Sequence, residues 1–159
     1  MLNVVNPNDD WSSLVINKVI SPEGQVVGYI FVIDRNKNNP LWKLAAGHKE
    51  TGETPLQTAM RENQGETGLR LPEEAYTELH GQHEWRNYLS GHWSLLFEAT
   101  VSIDQIGLIN PFDQGNEGEE VRYFTLAEVT DLISRGEMLS PHLKKMRAAG
   151  CTFTHEVRL

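Results

Sequence analysis

Cysteine is almost absent from this chain: Cys151 is the only one among 159 residues. No disulfide can form within it, which fits a reducing, cytoplasmic setting. Basic residues are in deficit, 14 Lys and Arg against 22 Asp and Glu, for a formal net charge of -8. That balance argues against a surface that holds long nucleic acid or an anionic membrane by general attraction. It leaves room for a small anionic substrate if a cation neutralises it. Long apolar runs are missing as well. The longest, Val26 to Ile33, is interrupted by Gly28 and is far shorter than the roughly 20 residues that cross a bilayer. The opening MLNVVNPNDDWSS has neither a basic start nor an apolar stretch, so no secretory leader is expected. No Walker-type loop, zinc-ligand spacing or Ser-His-Asp arrangement can be picked out. Nor is there a repeat, a low-complexity tract or a dividing linker, and one domain over 1–159 is expected.

What is present is ordinary for a soluble globular protein, with 39% apolar and 23% charged residues and enough length for one sizeable core. Ser13 to Ile20 reads as a strand, followed by the turn signal Ser21 to Gly24. Val26 to Ile33 is β-rich and nearly continuous in apolar character, as a strand buried on both faces is. After the polar loop Arg35 to Pro40, Leu41 to Leu44 is short and extended. Thr54 as N-cap, Pro55 at the first helical position and Gly68 as a left-handed stop delimit a helix from Pro55 to Thr67. Two strand-like runs follow, Glu78 to Tyr88 and His92 to Ile103. A Gly- and acid-rich loop, Phe112 to Glu120, leads to a strand at Val121 to Phe124. Two helices close the chain, one capped by Thr125 and one with Ser140 as cap and Pro141 first. This order of strands, helix, strands and helices predicts an α+β chain arranged as an α/β/α sandwich.

The chemistry concentrates between Gly47 and Leu69, GHKETGETPLQTAMRENQGETGL. Residues four apart share a helix face, so Glu62 and Glu66 can aim two carboxylates at one point. Like charges that close repel unless a cation lies between them. Hard oxygen donors of this kind suit Mg²⁺ or Mn²⁺, completed by water and substrate phosphate. Arg61, beside Glu62, is expected to face elsewhere and to hold Glu53 of the preceding loop in a two-armed pair. Gly47 and Gly52 permit a tight loop whose backbone approaches a ligand closely.

This stretch resembles the Nudix box: Gly, five residues, Glu, seven residues, Arg-Glu, an apolar residue, any residue, Glu-Glu, any residue, Gly, an apolar residue. Gly47, Glu53, Arg61, Glu62, Glu66, Gly68 and Leu69 match in register. Trp42 to Glu53 resembles the family's lead-in and Tyr123 to Leu132 its later strand-to-helix junction, so the resemblance runs from about Val26 to Leu143. It implies the Nudix fold, with a mixed central β-sheet and the box as loop–helix–loop. It also implies hydrolysis of a nucleoside diphosphate linked to another moiety by a metal-activated water. By position, Glu62, Glu66 and the Gly47 carbonyl are metal ligands, and Glu53 with Arg61 is the supporting pair. The family often adds a late-loop acid as ligand or base, for which Glu117 is the first choice, with Glu119 and Glu120 as competitors. The family's substrates include nucleoside triphosphates, nucleotide sugars, dinucleoside polyphosphates, dinucleotide cofactors and capped RNA. Homodimers are common in it.

Two positions depart from the pattern. Asn63 replaces an apolar residue and needs a hydrogen-bond partner to sit in a core. Gly65 replaces the first glutamate of the Glu-Glu pair, removing a carboxylate and weakening the helix by about 1 kcal/mol relative to Ala. The expectation is therefore a metal-dependent pyrophosphohydrolase. The alternative is a catalytically weakened or inactive Nudix-fold module that binds a nucleotide or regulates. Among other residues, His48 lies beside Gly47 within reach of a substrate phosphate, or on the surface. His80 and His83 fall on opposite faces of a strand. Trp42, Trp85, Tyr88 and Trp93 are either base-stacking rings or core.

Overall fold

A computed structural model describes residues 9–79, 84–87 (backbone only), 91–109 and 119–154. Seven strands form one sheet: β1 (Trp11–Ile20), β2 (Val26–Asp34), β3 (Ala45–His48), β4 (Tyr76–Glu78), β5 (Glu84–Asn87), β6 (His92–Ser102) and β7 (Glu119–Thr125). The main order is β4-β6-β1-β2-β7, with β3 also on β1 and β5 also on β6. The sheet is mixed, because β1 and β6 run parallel while the other pairs are antiparallel. Helices α1 (Pro55–Thr67), α2 (Leu126–Ser134) and α3 (Ser140–Ala148) cover it.

The pleat explains the layers. Side chains alternate across a strand, and the register pairs Leu14 with Leu96 and Val15 with Phe97. Even-numbered β1 residues Leu14 and Ile16 join Phe31, Leu96 and Phe124 in a core closed by Val129 of α2 and Met146 of α3. Odd-numbered Trp11, Val15 and Val19 join Val32 and Phe97 in a second core closed by Ala59 of α1. The result is the α/β/α sandwich. β2 feeds both cores and is buried from Gly28 to Asp34, as its unbroken apolar run requires.

Helix α1 runs from Pro55 to Thr67. Thr54 and Gln57 close a reciprocal capping box at its start, and Gly68 ends it at φ 78°. Asn63 finds the partner that its burial demands. Its Nδ2 donates to Asn17 Oδ1 (2.9 Å) and to the Tyr76 hydroxyl (3.1 Å), while its Oδ1 accepts from Asn17 Nδ2 (2.7 Å). Asn63→Ala is expected to destabilise the fold by about 2 kcal/mol, because Asn17 is left buried without its amide partner. Joint replacement, Asn17→Val with Asn63→Leu, recovers most of that loss, read as the urea midpoint.

Some boundaries differ from the sequence expectation. The lead-in before the box contributes a true strand, β3, one step later than Leu41 to Leu44, where only the isolated bridges Val32–Lys43 and Trp42–Met138 form. The run from Glu78 to Tyr88 is not one strand: β4 begins earlier and β5 is separate. The cap of α3 is Leu139 rather than Ser140. The Leu139 carbonyl already accepts from His142 N (3.1 Å) and Leu143 N (3.0 Å), which places Ser140 inside the first turn. Among the described residues, no helix is long and apolar enough to cross a membrane.

Candidate metal and phosphate site

The box is held in place at three points. Ser13 Oγ of β1 donates to the Pro55 carbonyl (2.9 Å) at the start of α1. β3 pairs with β1 through Gly47 opposite Ser13. Leu44 N, just before β3, donates to His142 Nδ1 (3.0 Å). Burial, and then the neighbouring Lys145 and Lys43, hold His142 down to about 4, so its ring stays neutral and able to accept.

Gly47 then meets Glu62 directly. A Cβ at position 47 would lie 2.2 Å from Glu62 Cδ, so only glycine admits this carboxylate against the loop. Glu53 and Arg61 form the two-armed pair: Nε to Oε2 is 2.7 Å and Nη2 to Oε1 is 2.9 Å. Glu53 also accepts from Glu50 N (2.7 Å) and the Thr58 hydroxyl (3.0 Å). The Arg61 guanidinium first, then these two donors, hold the Glu53 carboxyl down to about 2. Arg61 does more than the sequence suggested. Its Nη1 reaches Glu62 Oε1 (2.6 Å) and its Nη2 reaches the His48 carbonyl (2.9 Å). The expectation that it must face away from Glu62 fails because a long, forked side chain spans both neighbours.

Glu62, Glu66, Gly65 and Glu119 line one cleft of about 610 Å³, together with Lys37 and Lys43. Glu66 is 6% exposed and lies near the Ala46 amide (3.3 Å). Burial, with Glu119 next in effect, pushes its carboxyl up to about 9. Folding of the metal-free protein therefore favours protonated Glu66. That contribution is fully present below the ordinary carboxylate value of 4.5 and is lost as pH rises through the folded value. Chelator-treated protein is expected to melt lower at about pH 8.5 than at about pH 5.5, and Glu66→Gln to flatten that slope.

Among the late acids, Glu117 lies outside the described residues. The pleat separates the other two. Glu119, 4% exposed, shares parity with Val121, which packs in the α1-side core. Glu120 points to the other face and pairs with Arg35 (3.0 Å). Lys37 and Lys43 escaped the sequence reading, since no spacing marks them. His48 pairs with Ser12 in the β1–β3 register, and its ring packs on His92 at 4.8 Å between centroids. The expectation of no Ser-His-Asp arrangement is corrected: Ser12 Oγ, the His92 ring and Asp10 form a hydrogen-bonded chain of 2.9 and 2.7 Å. Sequence distance hid it. Trp42 is core at 4% exposure and Trp93 packs against the α1-side core. His80, His83 and Tyr88 and the Trp85 side chain lie outside the described residues.

Comparison with known proteins agrees with this fold. A family profile described as "NUDIX domain" matches residues 13–145. A protein named MutT4 of Mycobacterium tuberculosis is 47% identical over 58 residues, which is 36% of this chain and 23% of that protein; the chain thus spans about a quarter of that relative's length. Among solved structures, the NUDIX domain of Shewanella oneidensis NrtR complexed with ADP ribose is similar at TM-score 0.65 and 16% identity, covering 88% of this chain and 85% of that one. A mutT/nudix family protein from Listeria innocua is similar at TM-score 0.62 and 17% identity, covering 92% and 94%. At such identities the two structural likenesses concern the fold.

Proposed function

The chain belongs to the NUDIX family, and from that footing we propose that it hydrolyses the pyrophosphate bond of a nucleoside diphosphate linked to another moiety. The observation that carries this reading is the meeting of Glu62, Glu66 and Glu119 in one cleft. Three hard carboxylates, one of them forced up in pKa first by burial and then by its neighbour Glu119, form a donor set that a small divalent cation relieves. Mg²⁺ or Mn²⁺ would be held by Glu62, Glu66, Glu119 and the Gly47 carbonyl, with Glu117, outside the described residues, a further candidate from the sequence alone. When bound, such an ion polarises a phosphoryl oxygen and acidifies its water.

The chain's own groups do the rest. Arg61, fixed by Glu53, holds one carboxylate oxygen of Glu62. Glu53, fully ionised and engaged on all sides, positions rather than transfers a proton. Lys37 and Lys43 on the cleft wall meet phosphate oxygens that the acids would otherwise repel. Glu119 takes over the charge that the box lost at Gly65.

Gly65 also favours a second reading, a nucleotide-binding or regulatory module with weakened chemistry. Both readings face the same test. The full chain, with Mg²⁺ or Mn²⁺, is screened against nucleoside-diphosphate compounds, ADP-ribose included because the NrtR domain is complexed with it. Phosphate is followed after a coupled phosphatase. Metal-dependent turnover supports the hydrolase. A flat screen with clear nucleotide binding supports the module.

A further inference from the structure

We infer that Asp10, His48 and His92 form a second metal site, for a borderline divalent ion such as Zn²⁺, on the sheet face away from α1. One ligand atom from each residue lies within 4.8 Å of the other two. The sheet register builds the cluster. His48 on β3 stands opposite Ser12 on β1, and Ser12 stands beside Ser94 on β6. Asp10, one residue before β1, shares the face of Ser12, and His92 and Ser94 share the matching face of β6. By the pleat that face belongs with Leu14, Ala46 and Leu96, whereas Gly47, next to His48, turns towards Glu62; His48 itself also borders the box cleft. The two sites are therefore neighbours that meet at β3, with different ligand sets.

The donor chemistry differs from that of the box. Two imidazoles and one carboxylate suit Zn²⁺, Co²⁺ or Ni²⁺ rather than Mg²⁺. His92 Nδ1 is already 2.7 Å from Asp10 Oδ2. Its Nε2 is 2.9 Å from Ser12 Oγ, so with the proton on Nε2 the ring donates to that hydroxyl and is held in orientation, as an outer acceptor holds a metal-bound histidine. The His48 ring packs against the His92 ring. Closing the donors to the roughly 2.0–2.1 Å bonds of zinc calls for rotation of the exposed Asp10 and His48 side chains about the half-buried His92. Lys49, the nearby cation that acts on Asp10, has its ammonium occupied by the Asp9 carbonyl and the Trp11 ring. Three protein ligands leave one position for water, and an ion there ties together the ends of β1, β3 and β6.

The test is calorimetric titration of the full chain with Zn²⁺ in excess Mg²⁺, which keeps the box carboxylates engaged. One zinc site is expected. His92→Ala and Asp10→Ala each weaken it by ~100-fold or more, at or above what an outer-shell change costs. Glu62→Gln with Glu66→Gln leaves it intact. Co²⁺ gives a visible absorption band that His92→Ala abolishes, and Zn²⁺ raises the melting temperature of the parent but not of that variant. His92→Gln, which can still bond to Ser12, serves if the alanine variant does not fold. Zinc affinity that survives loss of His92, or that vanishes with the glutamates, overturns the inference. A failed hydrolysis screen would not touch it.

Discussion

Glu66→Gln is expected to lower the turnover of Mg²⁺-dependent hydrolysis by about a thousandfold, with the fold intact. The size follows from several kcal/mol of charge stabilisation at roughly 1.4 kcal/mol per decade. The glutamine keeps the shape of a buried side chain while removing the charge that Glu119 opposes. Turnover should therefore fall while the metal-free protein becomes more stable at alkaline pH, where Glu66 would otherwise be forced to ionise. This opposite movement separates lost chemistry from lost folding. Activity within a few-fold of the parent would remove Glu66 from the metal-binding set.

The second large effect runs the other way. Gly65→Glu is expected to raise Mg²⁺-dependent turnover by ~10–100-fold, by returning a carboxylate to the cleft wall. Nothing lies within 4 Å of a Cβ built at position 65, so the side chain enters open space. The helix gains as well, by about 1 kcal/mol for the loss of an interior glycine. Gly65→Ala is the control, since it carries the helix gain without the charge. A rise for Glu and not for Ala marks the parent as a working but weakened catalyst. No turnover in the parent or in Gly65→Glu sinks the hydrolase reading and leaves the binding module.

Helix α1 could be read from the chain because its signals are local: Thr54 and Pro55 begin it and Gly68 ends it. β3 could not be read in the same way. Ala45, Ala46 and Gly47 have little strand preference of their own, and they are extended because Ser12 to Val15 pair with them. The late acids show the same limit. Glu119 and Glu120 are indistinguishable as letters, and the pairing of Glu119 with Asp34 on β2 decides which one faces α1. Asp10, His48 and His92 meet through the antiparallel β1–β3 ladder and a parallel β1–β6 ladder that joins segments 80 residues apart. No search for short ligand spacings can find such a cluster.

The reciprocal amide pair between Asn17 and Asn63 bears on any attempt to transplant a box between relatives. A box that follows the family pattern would bring an apolar residue to position 63, and Asn17 of the host would then face it without its amide partner. Swapping the whole stretch would introduce a defect on the buried side of α1 while repairing the side that faces the cleft, and the two effects would be confounded in one chimeric chain. The helix here is tied to β1 through that pair, and its two faces must be altered separately to be understood.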